Sequence, residues 1–154
     1  MKLAAALMRR ADLQTQINEL QMRLNNNARV QEGEKPAEAP ADLLAALDAA
    51  ITEQETLIAQ INLTNAQTVS EGKTITEMIA HRDALLQKSR IMRGFLDEAS
   101  NLAPRYSKTE IRIESTVNVR KLQKDLDALG KEIRLTEERL QELNWTAELI
   151  TGES

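Results

Sequence analysis

The sequence predicts a mainly all-α protein: a long antiparallel four-helix bundle, or coiled-coil-like helical hairpins, with a small two-stranded β insert. Three observations predict it. The chain is 42% hydrophobic but only 2% aromatic, so its apolar bulk is Leu, Ile, Ala and Met, mostly good helix formers. Four stretches of about 25 to 30 residues repeat apolar residues in steps of three and four, the spacing of a packed helix face. One segment, 105–117, switches to a period of two. With 154 residues, the chain is long enough for one domain with a core and too short for two well-packed ones, so a single domain over 1–154 is expected.

Helix 1 is expected at about 2–26, with its seam on Leu3, Ala6, Arg10, Leu13, Ile17, Leu20 and Leu24. Asn25, Asn26 and Asn27 suit a frayed C-terminal turn, because Asn tolerates left-handed backbone and bonds its own main chain. Residues 28–40, ARVQEGEKPAEAP, break the period and read as a linker. Helix 2 follows at about 41–66, with Asp42 as its cap and a seam of Leu44, Leu47, Ile51, Gln54, Ile58, Ile61 and Asn65. A second apolar line, Leu43, Ala46, Ala50 and Leu57, calls for a further partner, most economically a second copy of the chain. No Lys or Arg occurs from Asp42 to Gly72, so the outer face of helix 2 is acidic.

Gly72 marks a turn, and Thr74 with Glu77 matches a capping box opening helix 3 at about 74–100. Its seam is Ile75, Met78, Arg82, Leu85, Ser89, Met92 and Leu96. In the insert, Ile111, Ile113 and Val117 share one face, with Arg112, Glu114 and Thr116 on the other. A lone strand leaves backbone groups unpaired, so a ladder between about 28–31 and 110–114 is expected, its rival being pairing between two copies of 105–117. Helix 4, about 118–149, has the seam Val119, Leu122, Leu126, Leu129, Ile133, Thr136, Leu140 and Leu143. Gly130 within it reads as a close helix crossing, and Trp145 as packing on neighbouring helix ends.

The polar seam positions Arg10, Gln54, Arg82 and Thr136 fall at similar heights and suggest a polar layer inside the bundle. Arginines there need carboxylates, with Asp12, Glu55, Glu137 and Glu138 as candidates. Such a layer either fixes register or binds a small anion. His81 follows Glu77 by four residues, but one histidine at that spacing falls short of a di-metal bundle site, so no catalytic, cofactor or metal residue is assigned. No Cys occurs, which excludes thiol nucleophiles and thiolate metal sites, and the five glycines form no phosphate loop. Lys88, Arg90 and Arg93, with Arg120, Lys121 and Lys124, form basic clusters, but Asp97, Glu98, Asp125 and Asp127 interleave with them. With a net charge of −4 and three aromatics, no nucleic-acid partner is expected.

The stretches MKLAAALMRRADLQ, NNNARVQEGEKPAEAP, INLTN at 61–65 and RLQELNWTAEL resemble the septicolysin-like family of small bacterial proteins over nearly the whole chain. The resemblance implies a shared fold and, through the family name, a lytic, pore-forming activity; it carries no catalytic residues to transfer. Read residue by residue, insertion needs a long apolar segment or a lipid-facing alternation, whereas the alternating segment here carries Lys108, Glu110, Arg112 and Glu114. The first residues, Met1 to Ala11, are broken by Arg9 and Arg10 and fit neither a signal peptide nor a membrane span, so a cytoplasmic protein is expected. The leading expectation is a non-enzymatic helical structural or interaction protein that forms homo-oligomers through helix faces or the strand insert. The alternatives are a lysin and a small-anion binder.

Overall fold

The computed structural model describes residues 1–102 and 111–152. Among these residues the chain is mainly α-helical, with four helices and one small antiparallel sheet: α1 (Leu3–Asn26), α2 (Pro40–Gln67), β1 (Val69–Ser70), β2 (Lys73–Thr74), α3 (Ile75–Ser100) and α4 (Val119–Thr146). The fold groups into two compact units, 1–74 with 143–154 and 75–142.

The first unit is built on α1 and α2, which run antiparallel, as the pairing of Arg9 with Glu53 and of Arg23 with Glu38 shows. Leu3, Ala6, Leu13 and Leu20 of α1 are buried together with Leu43, Ala50, Leu57 and Ile61 of α2. On α1 this is the predicted seam, with Arg10, Ile17 and Leu24 half-buried. On α2 the seam is displaced by one residue. Leu43, Ala50 and Leu57, assigned from sequence to a second line, are the inward residues, while Leu44, Ile51 and Ile58 remain exposed. The reason lies in LLAALDAAI, where both lines are apolar, so periodicity admits either and packing against α1 selects one. Asp42 is not the cap: the helix opens at Pro40 in its first turn after an extended Ala39, and Asp42 sits in that turn as a charge favourable to the helix dipole.

The sheet is not where the period-two pattern points. Residues 28–31 and 111–114 form no ladder, and the rest of the insert, 105–110, lies outside the described residues. Instead Val69 pairs with Thr74 and Ser70 with Lys73. Glu71 and Gly72 between them both have positive φ (53° and 80°), the type I′ geometry whose twist matches a two-residue hairpin. Ile111 and Ile113 are left 72% and 52% exposed.

The second unit pairs α3 with α4, with the predicted seams turned inward. Met78, Ser89 and Leu96 are buried on α3, and Leu126, Leu129 and Leu140 on α4. Asn118 caps α4, its Oδ1 accepting from the Lys121 amide at 3.1 Å. Gly130 marks no close crossing, since a Cβ there would meet nothing within 4 Å.

Candidate interaction surface

The recognisable sequence stretches act as clasps. In INLTN, the Thr64 side chain is fully buried; its hydroxyl donates to the Gln60 carbonyl and accepts from the Ile150 amide, both at 2.8 Å. In NNNARVQEGEKPAEAP, Asn27 is 9% exposed and does not adopt a left-handed backbone. Its Nδ2 donates to the Arg23 carbonyl at 2.8 Å and its Oδ1 accepts from the Glu38 amide at 3.0 Å, tying the end of α1 to the linker. Arg23 also binds the Glu38 carboxylate, which holds that carboxyl below its usual range, first through the hydrogen bond and then through the charge.

The ends of this unit close in the same way. Leu3 donates its amide to the Ala147 carbonyl at 2.9 Å and Leu149 donates to the Met1 carbonyl at 2.8 Å, forming a bridge between Lys2 and Glu148. This bridge stops α4 at Thr146, three residues short of the expected end. Hydrogen bonds from Lys2 and the terminal ammonium hold the Glu148 carboxyl below its usual range. Trp145 beside this clasp is 58% exposed, so it does not pack on helix ends as expected: its position on α4 turns it away from the Leu140 side.

The four polar seam residues divide between the units. Arg10 and Gln54 belong to the first; both are half-buried, and Gln54 donates to the Gln14 side chain at 3.0 Å across the α1–α2 seam. Arg82 and Thr136 belong to the second, also half-buried. Arg82 takes its neighbour Asp83 at 3.1 Å in place of Asp12, Glu55, Glu137 or Glu138, and the Thr136 hydroxyl donates back to the Glu132 carbonyl. His81 meets Glu132 of the facing helix α4 at 3.1 Å. Nearby, a groove of about 310 Å³ is lined by Lys88, Met92, Asp125, Ala128, Leu129 and Glu132, where the basic cluster is interleaved with acids. Among the described residues no group of three or more His, Asp or Glu is placed to hold a metal ion.

What the first unit presents most distinctly is a ridge. Leu44, Ile51 and Ile58 follow one another at seven-residue intervals along α2 and are 55%, 45% and 38% exposed. Seven residues is nearly two helical turns, so the three form one line. Half-buried Leu47 and Gln54 lie beside it. On the edge toward α1 stand Arg10 and Gln14; on the far edge Asp48 and Glu55, each four residues after a ridge residue, are exposed. The opposite side of the α1–α2 pair is closed by Arg9, whose guanidinium grips Glu53 through two bonds of 2.6 and 2.8 Å. Sequence reading found both apolar lines but faced the wrong one inward.

A solved structure shares the fold of this chain, and neither match names an activity. Residues 10–149 match a family of unknown function, DUF6847. The chain is also similar to a functionally unknown conserved protein from Corynebacterium diphtheriae, whose crystal structure superposes with a TM-score of 0.85 at 38% identity, covering 97% of this chain and 99% of that one. No curated protein matches.

Proposed function

The chain belongs to DUF6847, a family of unknown function, and from that premise we propose that it acts as a non-enzymatic helical scaffold that associates with its own copies through the outer face of α2. The observation that carries this reading is the ridge of Leu44, Ile51 and Ile58, apolar at a coiled-coil spacing and open to solvent. Isolated exposed apolar residues are ordinary on any protein surface; three in register on one helix face are a seam without its second helix. Support also comes from Thr64, Asn27 and Asn118, whose side chains are engaged in clasps and a cap.

Sedimentation of the wild type and of Ile51→Asp over a micromolar concentration series tests the reading. The wild type should show a mass above 17.3 kDa that rises with concentration, and Ile51→Asp should sediment as the monomer. A monomer at every concentration would count against it. No helix among the described residues is long and apolar enough to cross a membrane. The scaffold reading expects dye release from liposomes to stay at baseline; release would favour the lytic activity that the septicolysin-like resemblance implies.

A further inference from the structure

We propose that two copies of this chain pair through α2 in parallel, about a two-fold axis running along the helix, so that Arg10 of each copy meets Glu55 of the other. This rests on the self-association proposed above and specifies its occupant and orientation. The ridge of Leu44, Ile51 and Ile58 is unoccupied in the monomer, and its even spacing lets a second ridge lie on it in either direction. Charge decides between the two directions.

The ridge has unlike edges. The edge away from α1 carries Asp48 and Glu55, in a helix with no Lys or Arg at all. The edge toward α1 carries Arg10 and Gln14 on α1 itself, with Gln14 located there by its bond to Gln54. With Arg9 opposite Glu53 and Gln14 opposite Gln54, Arg10 lies within about one helical turn of Glu55 in height, with the ridge between them. In an antiparallel pair both acidic edges fall on the same side, and Asp48 would face the partner's Glu55. In a parallel pair the acidic edge of one copy lies over α1 of the other. Glu55 then stands beside the partner's Arg10, and Asp48 beside the partner's Gln14. Like charges across an interface oppose association and unlike charges fix its register, so the parallel arrangement follows. It also supplies half-buried Arg10 with the carboxylate that a seam arginine requires.

The chain contains no cysteine, so single engineered thiols report the arrangement directly. Leu44→Cys, Ile51→Cys and Ile58→Cys, each placed on the exposed ridge, should each cross-link to its own counterpart under mild oxidation. If only Ile51→Cys links to itself, while Leu44→Cys links to Ile58→Cys in a mixture, the pair is antiparallel and the proposal is overturned. Arg10→Glu and Glu55→Arg should each weaken the dimer by about tenfold, and the double variant Arg10→Glu/Glu55→Arg should regain the wild-type constant. A dimer indifferent to both single charge reversals but dissociated by Ile51→Asp removes the parallel pairing and leaves self-association standing. A 17.3-kDa monomer at every concentration removes self-association itself.

Discussion

At Thr64 one hydroxyl serves two backbone groups, donating to Gln60 and accepting from Ile150 in a fully buried site. Valine has the same shape but offers the Ile150 amide nothing. Thr64→Val should therefore destabilise the fold by about 1–3 kcal/mol, whereas Thr64→Ser should retain most of the stability, both measured by urea denaturation. Equal stability of wild type and Thr64→Val would show that the Ile150 amide finds water instead. Glu148 acts through charge. Its folded pKa lies below its unfolded value because Lys2 and the terminal ammonium bind the carboxylate. The stabilisation is thus complete above the unfolded value, about pH 4.3, and fades as pH falls through the lower folded one. Glu148→Gln should melt below the wild type at neutral pH and converge with it in acid. A gap that persists at low pH would rule out the charge as its source. Neither clasp was legible in the sequence: periodicity pointed to Asn65 instead of Thr64, and no local pattern announces that residues 1–3 meet residues 147–149.

Among the helices, legibility followed the width of the apolar stripe. On α1, α3 and α4 the buried residues, Ala4 apart, are those the three-four spacing selects, with Leu86 and Phe95 beside the α3 line left exposed. On α2 two adjacent lines are equally apolar, and only the approach of α1 decides between Leu57 and Ile58. That decision is measurable. Leu57→Ala should cost about 2–5 kcal/mol as a buried truncation, while Ile58→Ala in dilute protein should cost less than about 1 kcal/mol. The reverse ranking in urea unfolding would restore the seam first read from the sequence. The sheet was misplaced for a related reason. Alternation at Ile111 and Ile113 signals strand propensity but supplies no partner, whereas Glu71-Gly72 supplies a turn and so pairs Val69–Ser70 with Lys73–Thr74 immediately. Local closure outweighs a longer alternating pattern when the longer one must recruit a distant strand.

For the whole molecule, the ridge sets how strongly two copies can hold. Full burial of a Leu or Ile side chain contributes about 1.5–3 kcal/mol, and Leu44, Ile51 and Ile58 are each only partly exposed, so six such side chains contribute roughly half of that sum. Association itself costs several kcal/mol in lost translational and rotational freedom. The ridge alone thus falls short of the roughly 8 kcal/mol of a micromolar complex, so the Arg10–Glu55 pairs and the flanking contacts must supply the rest of a dimer that forms and separates with concentration. Fold and helix faces were thus largely readable from sequence. The working surface was not, because which face remains open is known only once the neighbouring helix has taken the other. The most direct measurement is sedimentation equilibrium of the wild-type chain beside Ile51→Asp across the micromolar range. The proposed scaffold predicts a wild-type mass climbing from 17.3 kDa toward twice that value while Ile51→Asp stays at 17.3 kDa; two superimposable monomer curves would contradict it.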